Sequence, residues 1–277
     1  MHPYLLSTGT FRIGTYGVIY VLSYLLAVAT WYLLARRGPV RPESVLDMAF
    51  ASLVGGVLGA KLLMVVVSLA QGVPLKQALD PSVLLHSAGF FHGAVIGGTL
   101  GLLWRARRLK VPLAATLDSC FPGVALGQDI GKLGCFFAGC CYGTESHLPW
   151  AVTFTNPETH LLSGTPLGVP LHPVQLYTMG FNTVSLAILL LVWRRRRFPG
   201  QVAALYFVLE GVQRSIIETW RGDLDRGVWL GLPWLSTGRI TALVLVLFGL
   251  CLWFFFSRRQ RAAGGGTLRS GISPALS

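Results

Sequence analysis

Charged residues are scarce in this sequence, and acidic residues are the scarcest among them. Asp, Glu, Lys and Arg together make up 12% of the 277 residues, whereas soluble domains carry about 25%. Only 11 residues are acidic against 23 that are basic, and 53% of the chain is hydrophobic. Several apolar runs reach the length of about 20 residues that spans a bilayer. The composition excludes an ordinary soluble domain and predicts an integral membrane protein.

Motifs that would hold a cofactor are also missing. The sequence has no glycine-rich nucleotide fingerprint and no metalloprotease helix. None of its five cysteines stands in the C-x-x-C spacing of zinc ribbons and thiol oxidoreductases. The first residues lack the charged region of a cleavable signal peptide, and the first apolar run continues to spanning length. We therefore expect no cofactor, no metal and no cleaved leader.

Seven membrane spans are expected, and the basic residues predict their orientation. The spans lie at about 15–35, 46–69, 88–104, 112–133, 174–193, 201–219 and 236–256. Basic clusters follow the odd-numbered spans, for example the four arginines at 194–197, and the loops after the even-numbered spans carry almost none. Because positively charged loops stay in the cytoplasm, the N-terminus should lie outside and the C-terminus inside. The net charge of +12 is then a membrane-topology signal, which argues against a nucleic-acid partner.

The predicted fold is an all-α polytopic membrane protein with one small head. Residues 1–258 form the seven-helix membrane domain, and residues 259–277 form a cytoplasmic tail that we expect to be disordered because it is rich in Gly and Ser. The longest loop, about 134–171, lies between spans four and five and should form an outward-facing head. Within it, the run 152–154 predicts a short strand.

Ionisable residues at membrane depth are the first candidates for a functional site, because burying charge in lipid is costly. Once the cytoplasmic clusters are set aside, the remaining candidates are Lys61, His92, Asp118, Lys132, Glu210, Arg214, Glu218, Arg221 and Arg239. The i, i+4, i+7 spacing of Arg214, Glu218 and Arg221 predicts that they share one helix face, with Glu218 holding both guanidinium groups. The surplus positive charge predicts an anionic substrate such as a phospholipid headgroup.

These residues also allow less specific interpretations. Glu218 with one arginine could be a self-neutralising structural pair near a helix end. His92 could be hydrogen-bonded to a neighbouring backbone, or it could act as a general base beside the anion site.

The segment DIGKLGCFFAGCCYG, residues 129–143, combines a lysine, three cysteines and four glycines. We interpret it as an outward-facing loop around a phosphate, in which glycine permits close backbone approach and Lys132 supplies charge. Cys135 would line the pocket. The three cysteines leave alternatives open: small residues in a tight turn, a disulfide from Cys135 to Cys140 or Cys141, or a metal site that His147 would complete.

The ordered motifs MHPYLL…FRIGTYG, FHGAVIGG, GKLGCFFAGCCYG, LHPVQLY and RSIIETWRGD are similar to those of the prolipoprotein diacylglyceryl transferase family. The resemblance covers the chain from about Met1 to Phe256. It implies transfer of the diacylglyceryl group of phosphatidylglycerol to the lipobox cysteine thiol of prolipoproteins, with release of glycerol phosphate. It also implies a location in the bacterial inner membrane.

The resemblance implies roles for matching positions. Tyr16 shapes the site, Gly143 closes the signature loop, His92 matches a family histidine, and Arg214, Glu218 and Arg221 match an Arg–Glu–Arg pattern. With the charge pattern, we predict that His92 and Arg214 are catalytic. We predict that the substrate-binding residues are Tyr16, Lys132, Cys135, Gly143, Glu218, Arg221 and Arg239. The signature also departs from the family, which usually reads G-R-x-G-N-F-x-N-G-E. Lysine replaces the arginine at position 132, and Cys135, Ala138 and Cys140 replace the two asparagines and the glutamate.

Two other classes of function compete with the transferase. One is a membrane thiol-redox protein that uses Cys135, Cys140 and Cys141. The other is a non-catalytic lipid-binding protein or anion transporter with the same cationic pocket.

Overall fold

The structure, a computed structural model, is mainly helical and describes residues 4–8, 11–86, 89–222 and 236–269. Within these residues, seven helices have 17 or more residues: α1 (Thr15–Ala35), α2 (Pro42–Ala70), α5 (Phe91–Arg108), α6 (Leu113–Ala138), α8 (Val174–Arg195), α9 (Gln201–Ile217) and α10 (Thr237–Arg269). Shorter helices lie between them: α3 (Leu75–Ala78), α4 (Pro81–His86) and α7 (Pro157–Ser163). Each of the seven long helices overlaps one expected span.

Four helices in the described part of the chain are long and apolar enough to cross a membrane: Thr15–Ala35, Pro42–Ala70, Val174–Arg195 and Thr237–Ala262. This finding confirms the expectation of a helical membrane protein. The number of seven spans stays a prediction.

Two pairs of short strands accompany the helices. Strands β1 (Tyr4–Thr8) and β2 (Phe11–Gly14) pair antiparallel immediately before α1. Strands β3 (Val152–Thr153) and β4 (Pro170–Leu171) pair antiparallel between α6 and α8, with α7 between them in the chain. The strand expected at 152–154 is therefore confirmed, and β4 is its pairing partner near the end of the same connection.

The chain divides into two compact units, of which the second is Tyr32–Thr116. Its two long helices, α2 and α5, pack through glycine. A Cβ on Gly59 would lie 2.9 Å from the Cα of Gly97, and a Cβ on Gly97 would lie 2.9 Å from the Cα of Gly59. Gly55 and Gly93 meet the facing helix in the same way, at positions four residues apart. Small residues at this spacing let membrane helices approach backbone to backbone.

The first unit comprises Met1–Trp31 and Leu117–Ser277. In it, α1 lies along α6 in the opposite direction. Trp31 Nε1 donates to Ser119 Oγ at 3.2 Å near one end. Near the other end, a Cβ on Gly134 would lie 3.4 Å from the ring of Tyr16. The apolar helix α1 thereby carries Tyr16 to the last turns of α6.

A buried aspartate connects α6 to the start of α9. Asp118 is fully buried, and its carboxylate accepts backbone N–H bonds from Gly200 at 2.7 Å, Val202 at 2.9 Å and Ala203 at 3.1 Å. Helix α9 has no side-chain cap of its own, and Gly200 begins it in the left-handed conformation. Asp118 therefore caps α9 from a distant position in the sequence. The ionisable candidate Asp118 therefore has a structural role as a helix cap.

Helix α9 also packs against the neighbouring helices of the first unit. Gln213 Nε2 donates to Asn182 Oδ1 of α8 at 2.7 Å, and both side chains are buried. On the other side, a Cβ on Gly211 would meet Ala242 of α10 at 2.6 Å. These contacts hold α9, which carries Arg214, between α8 and α10.

Three boundaries differ from the expectation. Helix α6 continues to Ala138, past the expected end at residue 133, and α9 ends at Ile217 before Arg221 is reached. Helix α10 continues to Arg269, so residues 259–269, expected to be disordered, are helical. Residue 88, where the third span was expected to begin, and residues 270–277 of the tail lie outside the described residues.

Candidate active site

The cysteine-rich segment is a helix end and not a loop throughout. Residues up to Ala138 belong to α6, and Phe136 in its last turn packs against Phe154 with ring centroids 6.4 Å apart. The helix ends at Gly139, whose φ of 78° is the left-handed conformation that glycine adopts without strain. Thr165 Oγ1 donates to the Gly139 carbonyl at 2.9 Å. The interpretation of 129–143 as a loop around a phosphate is wrong for residues 129–138.

The turn after Gly139 brings three thiols together. The sulfur atoms of Cys135, Cys140 and Cys141 all lie within 4.8 Å of one another, and all three cysteines are free. Cys141 has a positive φ of 60°, which folds the chain back toward the helix end. Gln175 on α8 is buried and donates from Nε2 to the Cys140 carbonyl at 2.8 Å. The alternative of a disulfide within this group is not observed.

Ionisation is distributed unequally among these thiols. Hydrogen bonds from Cys135 and Cys140 lower the pKa of the Cys141 thiol, and the positive charges of Lys132 and Arg221 lower it further. Hydrogen bonding to Cys135 and Cys141 raises the pKa of the Cys140 thiol. Of the three thiols, Cys141 is therefore the one that loses its proton most readily. The same interactions place Lys132 and Arg221 within electrostatic reach of that sulfur.

A short backbone ladder joins the cysteine turn to the end of α9. Gly143 and Arg221 form an antiparallel bridge, Thr144 N–H donates to the Trp220 carbonyl at 2.8 Å, and Gly222 N–H donates to the Tyr142 carbonyl at 3.1 Å. Arg221 is extended, with φ −74° and ψ 133°. The expectation that Arg214, Glu218 and Arg221 share one helix face is therefore wrong for Arg221. A 3-10 turn at Glu218–Trp220 separates it from α9.

Gly143 stands where no side chain fits. A Cβ at this position would lie 2.5 Å from the carbonyl oxygen of His172 and 2.7 Å from Val174 Cγ2. The carbonyl of Gly143 in turn leaves no space for a Cβ on Gly222. Two glycines facing each other let the extended segment that carries Arg221 pair closely with the turn that carries Cys141.

Lys132 and Arg214 share an acidic neighbour. Glu210 lies one helical turn before Arg214 on α9, and its carboxylate interacts electrostatically with both Arg214 and Lys132. Glu210 is one of the ionisable candidates, but the sequence analysis did not assign it to the site. Its i, i+4 spacing from Arg214 was the signal that could have done so.

Glu218 contacts the start of α10. Its carboxylate Oε1 accepts from Ser236 Oγ at 2.7 Å, and Ser236 Oγ accepts the backbone N–H of Arg239 at 3.2 Å. A Cβ on Gly238 would overlap the Glu218 carboxylate. Glu218 thus holds the first turn of the helix that carries Arg239, which brings the two predicted substrate-binding residues to one place.

The remaining predicted residues divide between the two units. Tyr16 lies in the first unit, where it interacts electrostatically with Cys135, Cys140 and Cys141. His92 and Lys61 lie in the second unit, His92 in the first turn of α5 with its ring 6.0 Å from that of Phe91. The first unit therefore contains eight of the nine predicted site residues: Tyr16, Lys132, Cys135, Gly143, Arg214, Glu218, Arg221 and Arg239. The role of His92 stays a prediction.

An aromatic groove of about 490 Å³ borders the backbone ladder. Trp150 Nε1 donates to the Tyr177 hydroxyl at 2.7 Å, and His172 Nδ1 lies 3.2 Å from the same hydroxyl. The Tyr177 ring packs edge-on against Trp220 with centroids 5.7 Å apart. The L-H-P-V-Q-L-Y segment thus supplies both this groove and Gln175, which holds the cysteine turn.

The family model for prolipoprotein diacylglyceryl transferase matches residues 3–255 of this chain. The chain belongs to the prolipoprotein diacylglyceryl transferase family. The family assignment agrees with the membrane helices, and the protein is a multi-pass membrane protein.

Proteins named as phosphatidylglycerol–prolipoprotein diacylglyceryl transferases align along nearly the whole chain. The phosphatidylglycerol–prolipoprotein diacylglyceryl transferase of Clostridium tetani is 32% identical over 253 residues, which cover 90% of this chain and 96% of that protein. The enzyme of the same name from Dehalococcoides mccartyi is 30% identical, with 96% and 97% covered. That of Bordetella avium is 33% identical, with 93% and 96% covered. Similarity of this extent does not favour the thiol-redox alternative.

Proposed function

We propose that this protein transfers the diacylglyceryl group of phosphatidylglycerol to the lipobox cysteine thiol of prolipoproteins and releases glycerol phosphate. The observation that carries the proposal is the Gly143–Arg221 bridge, because it places an arginine beside the turn that follows Lys132. Membership of the family and the names of its relatives support the same reaction. An anionic headgroup is the ligand that such cations would bind.

The reaction is a displacement at carbon. The thiol loses its proton to a base, its sulfur electron pair forms the bond to the glyceryl carbon, and the carbon–oxygen bond to phosphate breaks. The electron pair of the broken bond leaves with glycerol phosphate. Cations beside the phosphate stabilise this developing charge, and we assign that role to Arg214 together with Lys132 and Arg221. His92 is the proposed base.

The other predicted residues bind and position the lipid. Tyr16, which interacts electrostatically with the three cysteines, would border the bound lipid, and Cys135 would line its site from the last turn of α6. Glu218 fixes the start of α10 and so positions Arg239. Gly143 allows the cysteine turn to approach Arg221.

The proposed setting is the bacterial inner membrane, crossed seven times. The segment from about 134 to 171, which includes β3, α7 and β4, would form a head on the outer face. The N-terminus would lie outside and the C-terminus in the cytoplasm, since the basic clusters follow the odd-numbered spans. The site would then open toward the outer leaflet, where a phospholipid and an exported prolipoprotein meet.

The test is a transfer assay in proteoliposomes that contain phosphatidylglycerol. A lipobox peptide is added, and both released glycerol phosphate and the mass of the peptide are followed. We expect the peptide to gain one diacylglyceryl unit for each glycerol phosphate released. A peptide with serine in place of the lipobox cysteine is the matched control and should remain unmodified.

Absence of product in a preparation that still binds phosphatidylglycerol would overturn the transferase and favour the non-catalytic lipid-binding alternative. A protein that no longer binds phosphatidylglycerol, leaves the peptide mass unchanged and changes the oxidation state of its own thiols would favour the thiol-redox alternative instead.

A further inference from the structure

The three free thiols at the end of α6 are held by separate elements. Cys135 is fixed by the last turn of the helix, and Cys140 by the hydrogen bond from buried Gln175 to its carbonyl. Cys141 takes a left-handed conformation immediately before the segment that pairs with Arg221. A positive φ is unfavourable for a residue with a side chain, so the surrounding contacts must maintain it. The convergence of the sulfurs is built into the fold.

The spacing of these sulfurs fits a metal ion with thiolate ligands. Zinc binds sulfur at about 2.3 Å, so two sulfurs of a tetrahedral site lie about 3.8 Å apart. The three sulfur atoms all lie within 4.8 Å of one another. Among the described residues, these cysteines are the group of His, Cys, Asp or Glu side chains whose ligand atoms lie close enough together to hold a metal ion. Spacing along the chain does not predict a metal site here, whereas the folded arrangement does.

The charges around the cluster suit the same ligand. Three thiolates around a divalent ion carry a net charge of about −1, which would be costly next to a membrane without a counter-charge. Lys132 and Arg221 both act electrostatically on the cluster, and so provide it. Thiolates select soft ions, and zinc needs no redox partner. Three protein ligands also leave one tetrahedral position vacant, as in catalytic zinc sites.

We propose that Cys135, Cys140 and Cys141 bind a zinc ion and that the acceptor cysteine thiol is its fourth ligand. The first half concerns this chain alone, and the second half rests on the proposed transferase function. The cluster lies beside Tyr16, Lys132 and Arg221, which are assigned to substrate binding, so a thiol bound there is next to the phospholipid.

The metal supplies the deprotonated thiol that the reaction requires. A thiol that coordinates zinc loses its proton, which passes to a base. The sulfur electron pair then forms the bond to the glyceryl carbon, and the pair from the broken carbon–oxygen bond leaves with glycerol phosphate. The three protein thiolates remain on the metal throughout, and nothing is oxidised or reduced.

The experiment uses the full chain in detergent, with its metal removed by chelation and Co²⁺ added as a spectroscopic probe for zinc. We expect thiolate-to-cobalt charge-transfer absorption that saturates at one Co²⁺ per chain. The Cys135→Ser, Cys140→Ser, Cys141→Ser triple variant should lose it. Cys251→Ser, at an exposed position on α10, is the matched control and should retain it. A lipobox peptide should then shift the ligand-field bands, and its serine analogue should not.

The transfer assay on the same samples separates this inference from the proposed function. At pH 7 a free thiol of pKa about 8.5 is about 3% ionised, so zinc removal should slow transfer by about 10- to 30-fold, reversibly. Absent cobalt absorption, or equal transfer by metal-free and zinc-loaded protein, overturns the inference and leaves the transferase in place. Cobalt that binds but whose ligand-field bands do not shift when the lipobox peptide is added overturns the assignment of the fourth ligand. Cobalt bands that respond to the peptide, without any transfer, support the zinc site and overturn the transferase instead.

Discussion

Lys132 determines the charge at the centre of the candidate site. It interacts with Glu210 of α9 on one side and with Cys141 on the other, so it joins the acidic and thiol parts of the pocket. At this position the family usually has arginine, which can bind phosphate through two parallel hydrogen bonds. Lysine provides only a point charge, and Arg214 and Arg221 must supply the geometry.

Replacing Lys132 with alanine should weaken headgroup binding. Loss of a charge-assisted hydrogen bond costs about 1.5–3 kcal/mol, which corresponds to about 10- to 100-fold in affinity. Titration of the detergent-solubilised protein with short-chain phosphatidylglycerol measures it. Lys76→Ala, at an exposed position on α3, is the control and should bind normally. Equal affinity of the two variants would remove Lys132 from the site.

His92 is assigned as the general base because the reaction requires a group that removes the thiol proton. As the proposed base, it should affect the rate of transfer and not the binding of lipid. His92→Ala should lower the transfer rate by about 10²- to 10⁴-fold, the contribution typical of a general base. His147→Ala, exposed on the segment between α6 and β3, is the control and should transfer at the normal rate. A His92→Ala variant with unchanged rate would show that another group takes the proton.

At the scale of elements, the start of α9 depends on one carboxylate from α6. Asp118→Asn replaces one acceptor oxygen by an N–H₂ group that faces backbone donors, so a buried N–H loses its partner. We expect a loss of about 2–3 kcal/mol in the free energy of unfolding. Thermal unfolding in detergent should show a lower Tm.

The ion pair between Asp47 and Arg105 provides the matched control for Asp118. It is closed at 2.7 Å, but both side chains are partly exposed, at 49% and 34%. Asp47→Asn should therefore cost less than about 1 kcal/mol. Comparable shifts in Tm for the two variants would mean that Asp118 does not cap α9 as described.

The contact between α2 and α5 depends on bare backbone. Gly97→Ala would place a methyl group 2.9 Å from the Cα of Gly59, and nearer still to the Gly55 carbonyl, so the helices must separate. Gly56→Ala, whose Cβ would lie 3.4 Å from the Ala94 carbonyl, needs no such movement. We expect a clearly lower Tm for the first variant and little change for the second. If both variants have the same Tm as the unchanged protein, the close approach of the two helices is incorrect.

At the scale of the whole molecule, the distribution of basic residues predicts orientation. A fluorescent protein fused to the C-terminus should be fluorescent, because it folds in the cytoplasm. An epitope inserted at residues 147–149, which are exposed in the structure, should be labelled by antibody in intact spheroplasts. A dark fusion or an epitope reached only after lysis would reverse the orientation and place the site toward the cytoplasm.

Much of the helical architecture can be predicted from the sequence, because a bilayer requires long apolar runs and helices satisfy their own backbone hydrogen bonds. Each expected span overlaps a long helix, and β3 lies where a strand was expected. Helix ends are less predictable. The sequence around Cys135 contains glycines that also occur in turns, and packing of α6 against α1 keeps it helical.

Composition and the order of motifs determined, without any structure, that this is a helical membrane protein whose site carries positive charge and thiols. Tertiary structure alone decided how those groups meet. Asp118 is a helix cap because α9 begins beside it, and Arg221 reaches Gly143 because the chain leaves the helix after Ile217. The three sulfurs converge because Gly139 and Cys141 adopt left-handed conformations. Local periodicity does not encode such contacts, since they depend on where distant segments pack and on which backbone angles that packing enforces.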